Sequence, residues 1–138
     1  MINALLDTNV LLDYLLQRGE KSKYAVTILQ LANAGFIKLY VTDLSIANIA
    51  YITRKEIKHE DFFRIMKILQ KYYTIIPIGA EVVNRALNEE WDDFEDSLQC
   101  YSAEACGMSH IITNNIKDFA KSKLDVCSPS DFVNDVTK

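Results

Sequence analysis

Glycine and proline are scarce in this chain, at four and two of 138 residues. With 49% apolar and 25% charged residues, so few chain-breakers exclude a disordered protein and describe a folded one. An excess of positive charge is missing too: fifteen lysines and arginines face nineteen aspartates and glutamates, for a formal net charge of -4. That balance excludes a basic coat protein for nucleic acid. Any nucleic-acid contact has to be local or carried by a metal ion. No run approaches the roughly 20 apolar residues of a membrane span. Asp7 interrupts the first apolar run, where a signal peptide needs continuity. The expectation is a soluble, cytoplasmic protein with no membrane partner. The cysteines, Cys100, Cys106 and Cys127, are odd in number and form no CxxC pair with histidines at metal spacing. They read as small buried hydrophobes in a reducing compartment. The two histidines, His59 and His110, share no motif and read as structural or exposed.

What is present is alternation. The apolar run 4–6 stops at Asp7 and reads as a short buried strand; Val10 to Leu12 then opens a helix capped by Thr8 or Asn9. Ser22 is a candidate cap for a second helix, which runs toward Gly35 at the place of a C′ glycine. Further strands are expected at 36–41, 73–78, 110–113 and 124–127, with Pro77 marking a strand end. Between them lie helical patterns carrying Ile46, Ile49, Ala50 and Ile52, then Phe62, Phe63, Ile65, Met66 and Leu69, then Val82, Val83, Ala86 and Leu87, and a helix over 94–106. Ser128 and Pro129 open a last helix as N-cap and first position. Strands alternating with helices predict an α/β fold, a three-layer α/β/α sandwich with a mostly parallel central sheet of four to five strands. No linker, repeat or low-complexity tract divides residues 1–138, so one domain is expected.

Three acids fall at comparable places. Asp7 follows the first strand, Asp96 lies near the start of helix 94–106, and Asp118 lies just after the fourth strand. Strand C-termini and helix N-termini meet at one edge of such a sheet, so the three can converge. Each also has a plainer reading. Asp7 can simply cap a helix, Asp92-x-x-Glu95 and Asp93-x-x-Asp96 resemble N-cap pairs, and Asp118 can be a first-turn acid after an Asn115 cap. Three acids at one edge are less readily a coincidence. Gathered carboxylates repel unless a cation neutralises them. A hard divalent ion, Mg²⁺ or Mn²⁺, suits oxygen ligands, and metals held this way activate water against phosphodiesters.

Three blocks then carry a resemblance. Leu5-Leu6-Asp7-Thr8-Asn9-Val10-Leu11-Leu12-Asp13, Asp93-Phe94-Glu95-Asp96-Ser97-Leu98-Gln99 and Ile111-Ile112-Thr113-Asn114-Asn115-Ile116-Lys117-Asp118-Phe119 resemble, in order and spacing, the blocks of a PIN domain. The resemblance covers essentially the whole chain. It implies a parallel α/β/α fold and a Mg²⁺- or Mn²⁺-dependent ribonuclease acting on RNA. Many small single-domain members are toxins of the VapC type held by an antitoxin, and a homodimer is implied as well. By motif, Asp7, Asp96 and Asp118 are the catalytic, metal-binding acids, with Glu95 and Asn115 as further ligands. Thr8 and Asn9 shape the first turn, and Thr113 supports the last block. Two positions depart from the family pattern: Asn48 stands nearest to the usual glutamate after the second strand, and Asn115 where aspartate is common. Both bring oxygen without charge, and Glu95 is the acid placed to compensate.

Phosphate contacts need cations. Arg54, Lys55 and Lys58 form one cluster, Lys117, Lys121 and Lys123 another, and Arg18, Lys21 and Lys23 a third; charge runs of this kind are also ordinary solvated helix ends. Two other functions stay open on the sequence. One is a degenerate PIN fold kept for binding RNA or protein. The other is a phosphoacceptor receiver domain using Asp43, against which counts the absence of a lysine directly before either proline.

Overall fold

The structure, a computed structural model, describes every residue from 1 to 138. Five strands form its centre: β1 (Ile2–Leu6), β2 (Ile37–Thr42), β3 (Tyr73–Ile76), β4 (His110–Ile112) and β5 (Asp125–Cys127). Every pairing is parallel, and the order across the sheet is β3-β2-β1-β4-β5. Seven helices connect and flank the strands: α1 (Thr8–Leu15), α2 (Glu20–Asn33), α3 (Asp43–Ile52), α4 (His59–Leu69), α5 (Gly79–Glu89), α6 (Phe94–Ala105) and α7 (Pro129–Val136). A short 3₁₀ turn occupies Ile116–Phe119.

Side chains alternate across the sheet, and this sorts the core into two layers. Ala4 pairs with Leu39, and Leu6 with Ile112; they face one side together with Val10, Ile28, Ile49, Leu69 and Phe132. Leu5 pairs with Ile111; both face the other side with Val82, Ala86, Leu98, Tyr101 and Phe119. Helices α1 to α4 and α7 therefore cover one face, while α5, α6 and the 3₁₀ turn cover the other. This is the expected three-layer α/β sandwich with a five-stranded parallel sheet. No helix is long and apolar enough to cross a membrane.

The strand order fixes where a site can form. From β1 the chain moves outward through β2 to β3, then crosses back to lay β4 against the other side of β1. The direction of winding reverses between β1 and β4. In open parallel sheets such a switch point leaves a crevice beyond the strand C-termini.

Local departures from the sequence reading have physical causes. Helix α2 begins at Glu20, and Ser22 lies inside it, donating its hydroxyl to the Gly19 carbonyl. Strand β3 stops at Ile76 because Pro77 has no N–H, and the Ile78 N–H goes to the Asp43 carboxylate at 3.2 Å. Ile52 and Phe63 are exposed, at 43% and 48%. The inward stripe of α3 runs through half-buried Ile46 and Ala50 and buried Ile49 to buried Thr53, whose hydroxyl bonds the Ile49 carbonyl; that of α4 runs through half-buried Phe62, Ile65 and Met66 to buried Leu69. Ile52 and Phe63 each sit about one helical step, 100°, off those stripes. Gly35, at φ 84°, does take the left-handed position just past the C-cap of α2.

Phe119 anchors the 3₁₀ turn. It is fully buried and meets Trp91 edge-on at 6.2 Å. Phe119→Ala is expected to cost about 3–5 kcal/mol, the usual range for emptying such a site. Urea denaturation measures it as a lower midpoint with an unchanged slope.

Candidate metal centre at the switch point

Asp7 leaves the end of β1 and enters α1 in a single step. Its N–H bonds the Ile112 carbonyl at 2.9 Å, tying it to β4. Its Oδ1 accepts from the Thr8 N–H at 2.8 Å, which makes Asp7 itself the N-cap of α1, with Thr8 already inside the helix. Its Oδ2 accepts from the Thr113 hydroxyl at 2.7 Å and from Asn9 Nδ2 at 3.2 Å. The two sequence readings of Asp7, cap and cleft acid, are therefore compatible. At 4% exposure, burial pushes its carboxyl up from the ordinary value against the pull of these donors, and the charges of Asp93 and Asp118 push the same way.

The second contribution comes from the start of α6. Asp93 caps that helix by accepting from the Asp96 N–H at 3.0 Å. One carboxylate oxygen from each of Asp93, Asp96 and Asp118 lies within 4.8 Å of the others. Asp96 is half-buried, and its carboxyl is pushed up to about 8. Burial is the largest cause, followed by the charges of Asp7, Asp93 and Asp118. The open cleft beside these acids has a volume of about 350 Å³, and no lysine or arginine lines it.

Asp7 and Asp96 thus line the cleft, and Asp118 joins them through its cluster with Asp93 and Asp96. Thr8, Asn9, Asn48, Glu95 and Asn115 also line it or sit at its rim. Glu95 stays outside the three-acid cluster and accepts from Asn48 Nδ2 at 3.4 Å. Asn115 contributes its N–H to the Thr113 hydroxyl at 3.0 Å. Asp43 faces elsewhere, held by the Ile78 N–H.

Sequence reasoning missed three features. Asp93 was visible only as a helix cap, yet it also belongs to the cluster. Beneath the cleft, Thr42, Ser45 and Gln99 form a buried polar network with Thr8. Asp13 is 1% exposed and accepts from Asn114 Nδ2 at 2.6 Å, while Asn114 N–H bonds Asn9 Oδ1. Asp13 thus ties α1 to the segment that leads to Asp118. An acid closing an apolar run was the one sequence signal for Asp13.

The donor set fits a hard divalent cation. Oxygen ligands crowd without a countercharge; Asp96 is raised first by burial and then by the charges of Asp7, Asp93 and Asp118, and a cation would offset both.

The sequence model of the PIN domain matches residues 3–117, and the chain belongs to that family. Solved structures share the fold. The VapBC2 complex of Rickettsia felis, bound to a DNA fragment from its promoter, has a chain of 19% identity at a TM-score of 0.70, covering 92% of this chain and 98% of its own. A toxin–antitoxin complex from Klebsiella pneumoniae gives 25% identity and a TM-score of 0.65, covering 91% of this chain and 97% of its own. A sarcin-ricin loop cleaving VapC toxin of Mycobacterium tuberculosis gives 11% and 0.61, covering 78% and 86%. No curated protein matches the chain in sequence.

Proposed function

We propose that this chain is a divalent-metal-dependent endoribonuclease of one domain, the toxin of a cytoplasmic toxin–antitoxin pair. The observation that carries the reading is the convergence of Asp7, Asp93 and Asp96 on a cleft that no lysine or arginine lines, with Asp118 clustered against Asp93 and Asp96. Asp93, Asp96 and Asp118 are the residues to hold Mg²⁺ or Mn²⁺, with Asp7 beside them and Asn115 and Glu95 at the rim. When bound, such an ion neutralises phosphate charge and activates water for in-line attack.

The chain's own groups do the rest. Thr113 and the Thr8 N–H fix the Asp7 carboxylate in one orientation. Thr113 is itself fixed by the Asn115 N–H. Lys117, in the turn that carries Asp118, and Arg54, stacked 3.9 Å over the Tyr51 ring at the cleft wall, are cations available to RNA phosphates. An antitoxin partner is supported by the toxin–antitoxin complexes among structures of this fold. A homodimer rests on the family resemblance alone.

Wild-type protein is expected to cleave single-stranded RNA with Mn²⁺ and to stop when a chelator is added, as followed by gel. Cleavage that ignores the chelator, or no cleavage across a panel of structured and single-stranded RNAs, overturns the reading. A second reading, a binding module that has lost catalysis, is favoured by one observation. Where the family carries a glutamate, a neutral Asn48 amide faces Glu95. Calorimetry separates the two: absence of Mn²⁺ binding at millimolar concentration supports the binding module.

A further inference from the structure

The network under the cleft can be read proton by proton. Gln99 is 3% exposed and has three partners. The Thr42 hydroxyl lies 2.7 Å from Gln99 Oε1, while Gln99 Nε2 lies 2.7 Å from Ser45 Oγ and 3.1 Å from Thr8 Oγ1. Thr42 Oγ1 already accepts the Ser45 N–H at 3.1 Å, so its own proton is free for the Gln99 carbonyl. The amide then has its oxygen on the one donor and its two N–H groups on the two remaining oxygens, which fixes its orientation.

The Ser45 hydroxyl accepts one Gln99 N–H and must place its own proton. Thr8 Oγ1 lies at 2.7 Å, whereas Thr42 Oγ1 lies at 3.3 Å and is already accepting. On these distances we assign Ser45 as the donor to Thr8. Thr8 Oγ1 receives from both Gln99 and Ser45, and no protein acceptor is left for its own proton. Thr8 lines the cleft beside Asp7 and Asp96. Among the acids of the cleft, it is a hydroxyl left to donate outward.

We propose that Thr8 donates a hydrogen bond to a phosphate oxygen of the bound nucleic acid, and that Gln99 is the positioning residue that turns this hydroxyl toward the cleft. The inference rests on the ribonuclease reading for its substrate class, a phosphodiester of single-stranded RNA. It makes Thr8 a substrate contact where the sequence offers only a turn residue. It also gives a reason for a glutamine at a position buried among hydroxyls. The amide alone can both accept from Thr42 and donate twice.

Four variants test it: Thr8→Val, Thr8→Ser, Gln99→Glu and the double variant Thr8→Val with Gln99→Glu. Thr8→Val keeps the shape and removes the hydroxyl. It is expected to lower kcat/KM about 10- to 100-fold, the worth of a hydrogen bond to a charged group. Thr8→Ser restores activity to within about threefold on the same argument. Gln99→Glu replaces the donors with acceptors and draws the Thr8 proton inward, so it should match Thr8→Val. The double variant should be no worse than either, as expected when two groups act through one bond. Mn²⁺ binding by calorimetry should stay at the wild-type value in Thr8→Val, while its melting temperature falls because Gln99 and Ser45 lose an acceptor.

Full activity in Thr8→Val, additive losses in the double variant, or lost Mn²⁺ binding in Thr8→Val each overturns the proposal. A wild type that does not cleave overturns the ribonuclease reading instead. In that case anisotropy of a labelled single-stranded RNA in Mn²⁺ still decides this inference. Binding weakened severalfold by Thr8→Val and restored by Thr8→Ser upholds it; equal binding by all three proteins overturns it.

Discussion

Asp7→Asn is expected to lower Mn²⁺-dependent RNA cleavage by about 10²- to 10³-fold, the loss typical when one preorganised charge leaves a reacting centre. The substitution is close to isosteric and removes a buried charge from a group of four acids. The asparagine carbonyl can keep the Thr8 N–H, so the α1 cap survives. The new amide nitrogen faces the Thr113 hydroxyl and Asn9 Nδ2, where a carboxylate oxygen had accepted from both. Thr113 can turn its proton away, but Asn9 is held by the Asn114 N–H and loses its acceptor. That lost bond costs about 1 kcal/mol. Relief from burying a charge next to Asp93 and Asp118 acts in the opposite direction. The net effect on stability is therefore small, within about 1 kcal/mol, and the urea midpoint checks it. Activity equal to wild type in a folded Asp7→Asn protein would remove Asp7 from the reaction.

The second large effect is on stability, and it depends on pH. In the folded protein the Asp96 carboxyl is raised from 3.8 to about 8. Folding therefore takes up a proton at this position between about pH 4 and pH 8. The contribution of Asp96 to stability is fully present below about pH 4 and is lost as pH rises through about 8. Without metal, Asp96→Asn should gain on the wild type steadily across that window, as read by melting temperature. With Mn²⁺ the order should reverse above about pH 8, because the ionised carboxylate is then a ligand. At a hundred times its dissociation constant, Mn²⁺ stabilises the wild type by about 2.7 kcal/mol. In a chain of this size that corresponds to a shift on the order of 10 °C. Below pH 8 the ion must displace one proton, so its affinity should fall by up to about tenfold per pH unit. A melting shift independent of pH between 5 and 8 would show that Asp96 takes no part in binding the ion.

Much of the fold was legible because its signals are local. An apolar run ending at an acid, a glycine past a helix end and a proline after a strand mark boundaries within a few residues. The alternation of strand and helix determines the layers. The buried stripes were less legible, since Ile52 and Thr53 both suit α3 on composition and only packing selects the polar one. At the site, Asp7, Asp96 and Asp118 could be named because strand ends and helix starts meet at one edge. Asp93 was hidden by its own capping role, which is real and does not exclude a second. The Gln99 network could not be read at all. Its partners lie 54, 57 and 91 positions away, and nothing in their local sequence records the encounter.

The switch point has a temporal meaning as well. Asp7 and Thr113 are 106 positions apart, and their strands are neighbours only once β4 has docked against β1. A chain still emerging from the ribosome can form β1, β2 and β3 with their helices, but it holds neither the partner that orients Asp7 nor Asp118. Contacts this distant in sequence form late, after the entropy of closing the loop has been met. If the chain is a nuclease, its site is therefore assembled last. In that case the growing polypeptide stays harmless to RNA until β4 and the 3₁₀ turn that follows it have been made.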